Sequence, residues 1–92
     1  KIELERKEKT GQLKKLISEQ KKLLKQYNQE LTKLKSTRDR DIRTLSRSGI
    51  SKELAATQID AMNPMYANTA GSIIVIQSNI ARLENELKSY TD

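Results

Sequence analysis

Arg38, Arg40, Arg43 and Arg47 fall within ten residues of one another. A guanidinium presents a rigid fork of N–H donors that matches carboxylate and phosphate oxygens. These four residues are therefore the candidate site for an anionic partner. Lys14-Lys15, Lys21-Lys22, Lys25, Lys33 and Lys35 extend the positive charge through the first half of the chain. A rod carrying such a stripe can hold phosphates without reading bases, so sequence-independent nucleic-acid binding is one expectation. Two features oppose it. No aromatic residues are interleaved to stack bases, and Asp39 and Asp41 interrupt the cluster. The plainer account is a solvated coiled-coil surface with pairs such as Asp39–Arg43, Glu5–Lys9 and Glu84–Lys88.

Covalent and acid–base chemistry finds few candidates. The chain has no histidine and no cysteine. The usual general base, the commonest metal ligand and the thiolate are thus all missing. Three dispersed glycines form no phosphate loop, and the carboxylates lack the spacing of a calcium loop. Ser46, Ser48 and Ser51 cluster where helix ends need caps. The expectation is a protein that is not an enzyme, with no cofactor, no metal and no small-molecule substrate.

A second constellation is apolar. Ile73, Ile74, Val75 and Ile76 stand in a row. A helix that turns Ile73 and Ile76 toward a neighbour sends Ile74 and Val75 sideways. Ile17 and Leu24 similarly lie beside the main stripe of the first half. Ile17, Leu24, Ile74 and Val75 are the candidate self-association residues. Removing each such side chain from water contributes about 1.5–3 kcal/mol. The expected partners are a second copy, giving a homodimer, and another protein held by the same module.

These sites must be positioned by helices. Leu13, Leu16, Gln20, Leu23, Tyr27, Leu31, Leu34, Arg38, Ile42 and Leu45 are separated by steps of three and four. That is coiled-coil spacing, with an eleven-residue repeat through Leu23, Leu34 and Leu45. Gly11 lowers helix propensity near the start, so fraying is expected there. Ser48-Gly49 stops the helix, because glycine adopts the left-handed conformation at little cost. Ser51 is a good N-cap, and Glu53 suits the helix dipole. So short a connection makes the two helices antiparallel neighbours.

The second arm opens with Leu54, Ala55, Ile59 and Met62. Asn63-Pro64 predicts a kink or a restart, with asparagine as cap and proline at the first helical position. A heptad then runs through Ile73, Ile76, Ile80, Leu83, Leu87 and Tyr90. If the turn centres on Gly49, facing residues have numbers that sum to about 98. Arg38 then meets Asp60, which a partly buried arginine requires. Tyr27 meets Ala70 and Gly71.

Composition agrees with this architecture. Hydrophobic residues make up 35%, charged residues 33% and aromatic residues 3%, with no Phe or Trp. A narrow seam between helices needs no large aromatic filling, whereas a compact globule usually does. The longest apolar run is the four residues from Ile73. A membrane span needs about 20. With no signal peptide in view, a cytoplasmic setting is slightly favoured. The net charge of +6 belongs to the first half, and the second half is mildly acidic. The two arms should therefore attract each other weakly.

Gly49-Ile50-Ser51-Lys52-Glu53-Leu54, between two coiled arms, resembles the turn of coiled-coil hairpins embedded in large serine recombinases. The resemblance covers these six residues and implies contacts between subunits. The cysteines of the zinc domain beside that hairpin have no counterpart here, so membership of that family is not inferred.

The expected fold is all-α. A long antiparallel helical hairpin, of coiled-coil type, forms one domain over residues 1–92 and dimerises into a four-helix bundle. The first arm covers about residues 3–47, the turn 48–51 and the second arm about 51–90, with the break at 63–64.

Overall fold

The structure, a computed structural model, describes residues 2–91. Among these residues it contains three helices: α1 (Ile2–Ser46), α2 (Lys52–Met62) and α3 (Met65–Thr91). The fold is an all-α helical hairpin. The chain divides into two compact units, Lys1–Gln26 with Ile73–Asp92, and Tyr27–Ser72. In each unit the first arm runs antiparallel to the second.

α1 is long because Lys, Glu, Gln and Leu dominate it and no proline interrupts it. It continues through Gly11, where fraying was the expectation. The surrounding strong helix formers outweigh the roughly 1 kcal/mol that one glycine costs.

The turn is built as the residues suggest. Past the end of α1, the Ser48 and Gly49 amides donate to the carbonyls of Leu45 and Ser46, each at 3.2 Å. The Ser48 hydroxyl also donates to the Leu45 carbonyl, at 2.6 Å. Gly49 has φ +99°. Only glycine takes that conformation without a penalty from its own Cβ. Gly49→Ala should therefore destabilise the protein by about 1–2 kcal/mol. Urea unfolding checks this, and an unchanged midpoint would refute the strain. Nothing lies within 4 Å of the added methyl, so a clash would not explain the loss.

Ser51 then caps α2, with its hydroxyl oxygen accepting from the Leu54 amide at 3.2 Å. At the next break the Asn63 amide still donates to the Ile59 carbonyl at 2.9 Å, closing α2. Asn63 Oδ1 accepts from the Met65 amide at 3.2 Å and so opens α3. Pro64 has no amide hydrogen to leave unsatisfied there. The break is a restart between two separate helices.

The core of the first unit consists of Leu13 and Ile17 from α1 with Ile73, Ile76 and Ile80 from α3, all buried. In the second unit Ala55 is fully buried, Thr69 is buried, and Tyr27, Leu31, Leu34, Ile42, Leu45, Ile59 and Tyr66 are half-buried. This is the narrow seam that the composition implied.

The stripe through Leu16 and Leu23 is rotated. Ile17 is buried and Leu24 half-buried, while Leu16 and Leu23 are 46% and 37% exposed. The inner residues are Leu13, Ile17, Gln20, Leu24, Tyr27, Leu31 and Leu34, a regular heptad. An isoleucine buried where Leu16 was expected is as apolar, so burial could settle either way until the facing helix chose.

Candidate functional site: an apolar flank and a divided arginine cluster

The arginine cluster lies on the final turns of α1 and, with Arg47, on the turn just past it, in the second unit. Successive helical residues are about 100° apart, so residues spaced by three and four share a face. Arg40, Arg43 and Arg47 have that spacing and are exposed. Arg38 falls on the opposite side of the helix. The four do not form one site.

Arg38 points to the second arm. Its Nε donates to Asp60 Oδ1 at 2.6 Å and its Nη2 to Asp60 Oδ2 at 2.9 Å. Its guanidinium also lies over the Tyr66 ring, 5.0 Å from the centroid. The side chains remain 25% and 42% exposed for Arg38 and Asp60. This pair is the one that the symmetric register anticipates. It leaves Arg38 committed within the chain and unavailable to an outside anion.

The fork of hydrogen bonds from Arg38 holds the Asp60 carboxyl below its ordinary pKa, and the attraction of the two charges adds to this. The same hydrogen bonds raise Arg38, which is charged at any working pH regardless. Because the folded carboxyl ionises more readily than the unfolded one, the pair stabilises the fold fully above the ordinary carboxylate range. That contribution disappears as pH falls through the lowered pKa. Asp60→Asn should lower Tm by a few degrees at neutral pH and by much less in strong acid. Thermal unfolding across the acid range checks this, and an equal difference at both ends would refute it.

Among the described residues, two further ion pairs occur: Lys21–Glu84 at 3.6 Å and Arg40–Asp41 at 4.0 Å. The intrahelical pairs Asp39–Arg43, Glu5–Lys9 and Glu84–Lys88 do not form at this distance. Glu84 instead crosses to α1. Exposed pairs one turn apart gain only about 0.3–0.5 kcal/mol, which is too little to fix long side chains. Lys21 meets a residue two turns beyond the one that the symmetric register would place opposite it. Both side chains lean toward their own helix N-termini, in opposite directions in an antiparallel pair, and this lean helps to close the offset.

The apolar flank lies in the first unit. Ile74 and Val75 are 65% and 60% exposed, as their sideways placement implied. Ile17 and Leu24 are not on this flank, since the seam has taken them. Leu16 and Leu23 replace them. Each stands one residue before an inner residue of α1, and Val75 likewise stands one before Ile76. Lys14, Lys21 and Glu84 each stand one residue after an inner position, and Lys21 bridges to Glu84. The helices are antiparallel, so residues that follow the seam share one face and residues that precede it share the other. Leu16, Leu23 and Val75 therefore lie on one face, whereas Ile74 follows the inner Ile73 and stands on the other side of α3. The sequence signal for this was present: Leu16 and Leu23 are as apolar as their neighbours and seven residues apart.

No helix among the described residues is long and apolar enough to cross a membrane. Compared with family models, curated proteins and solved structures, the chain matches none.

Proposed function

We propose that this chain is a non-catalytic coiled-coil module that joins with a second copy of itself and holds a protein partner within a larger assembly. The observation that carries this reading is the wet apolar flank of Leu16, Leu23 and Val75. Such residues gain free energy on leaving water, and a self-complementary patch on a two-fold axis lets both copies bury theirs at once. Two hairpins joined in this way form a four-helix bundle. The absence of histidine and cysteine supports a role in binding rather than catalysis.

Light scattering with small-angle X-ray scattering, at low and high salt, tests the proposal. The expected result is a particle of twice 10.5 kDa that persists at high salt. A monomer at every concentration would overturn the homodimer.

Exposed Arg40, Arg43 and Arg47 favour a second reading, sequence-independent nucleic-acid binding. It predicts affinity for a DNA duplex that falls steeply with added salt. Binding that is absent at low salt would remove it.

A further inference from the structure

The face of the first unit opposite the apolar flank carries its own groove. One part of it is lined by Glu3, Arg6, Lys7, Thr10, Lys14 and Tyr90. The adjoining part is lined by Lys14, Ile17, Lys21, Glu84, Leu87 and Lys88. Both parts share Lys14, so they form one trough between α1 and α3. Its floor is apolar, made by Ile17, Leu87 and the Tyr90 ring, and its walls carry five cations against the two carboxylates of Glu3 and Glu84.

Lys7, Lys14 and Lys21 are seven residues apart. They repeat at about 10.5 Å along the helix, the spacing at which an opposing helix presents equivalent side chains. Lys21 already holds a carboxylate, that of Glu84, at 3.6 Å. A second copy of this basic chain would bring further positive charge to the walls, so it does not fit here. A nucleic-acid duplex matches the charge, but its bases are stacked inside and leave nothing to set on a floor of Ile17, Leu87 and Tyr90.

We infer that this trough is the docking site for an acidic amphipathic helix of another protein. Its apolar residues seat on the floor, and carboxylates at heptad spacing meet Lys7, Lys14 and Lys21. The arrangement is a helix laid in a groove, completing a third helix against the hairpin. It rests on the reading of the chain as a binding module and names the chemistry of its protein partner.

The test uses the full chain and a labelled 28-residue peptide with Leu at the heptad seam and Glu on both flanks. A peptide with Gln in place of Glu and a DNA duplex are the comparisons. Fluorescence anisotropy and circular dichroism should show one acidic peptide per hairpin, gaining helicity as it binds. The Gln peptide should bind at least about tenfold more weakly.

The double variant Lys14→Gln/Lys21→Gln should also weaken acidic-peptide binding by about tenfold. Lys15→Gln/Lys22→Gln removes the same net charge from the outer side of α1 and should change binding by less than about twofold. Equal losses in the two double variants would overturn the trough as the site. So would equal binding of the Glu and Gln peptides, or a duplex that binds more tightly than the acidic peptide. A Leu23→Glu/Val75→Glu protein, altered only on the opposite face, should still bind the peptide. Peptide binding by that variant keeps the two faces separable, so loss of self-association would leave the trough standing.

Discussion

Ile17→Ala should destabilise the protein by about 2–3 kcal/mol, whereas Leu16→Ala should cost less than about 1 kcal/mol in the monomer. The two residues are neighbours of equal size, and only their direction differs. Ile17 is 7% exposed against the α3 core, while Leu16 is 46% exposed. Truncating Ile17 removes buried methyl groups and leaves a void that a two-helix seam can only partly collapse. For a chain of this length the loss corresponds to a fall in Tm of about 10–20 °C. Chemical denaturation at low protein concentration checks the contrast. As concentration rises, Leu16→Ala should become more damaging, because a residue in the interface between copies acts through mass action. The opposite order of the two losses at low concentration would mean that Leu16 faces the seam.

Leu23→Glu combined with Val75→Glu should abolish self-association. Each substitution puts a carboxylate into the proposed interface, and the two-fold axis doubles the number to four. An unpaired charge taken from water into an apolar contact costs several kcal/mol. Association should weaken at least about a thousandfold even after partial escape of the charges to the rim. The particle mass should fall to 10.5 kDa with helical content retained, because both residues are exposed in the single chain. Ser78→Glu places the same charge on the outer side of α3 and should leave the dimer intact. Sedimentation velocity of the three proteins reads the result. A double variant that still dimerises would place the interface elsewhere.

These two experiments probe the point at which the sequence was least decisive. Most of the local structure was legible. Gly49 marks the reversal because its backbone can go where others are strained. Ser51 and Asn63 mark helix starts because their side chains accept the first free amides. Pro64 marks a restart because it has no amide to donate. These are properties of single residues acting on their immediate neighbours, so the order of residue types suffices to predict them. The Arg38–Asp60 pair was also legible, since a short turn fixes which residues face each other beside it and a seam arginine needs a counter-charge.

The division of the arginine cluster followed less directly. Nearness in sequence suggested one anion site. Helical geometry instead sends Arg38 inward and Arg40, Arg43 and Arg47 outward. The steps of three and four were visible among the outer three, but the inward place of Arg38 depends on a partner from the other arm.

The order of residues was enough to show that α1 pairs with a second arm, where the chain reverses and which broad stripe is apolar. The rotation of α1 about its own axis came from packing against the facing helix. The frames Leu13-Leu16-Gln20-Leu23-Tyr27 and Leu13-Ile17-Gln20-Leu24-Tyr27 share three residues and both advance by threes and fours. Leaving a leucine or an isoleucine in water costs nearly the same free energy, so neither frame wins on composition. The choice falls to the facing isoleucines of α3, whose packing draws Ile17 and Leu24 inward. It leaves Leu16 and Leu23 in solvent on the face opposite the lysine-lined trough.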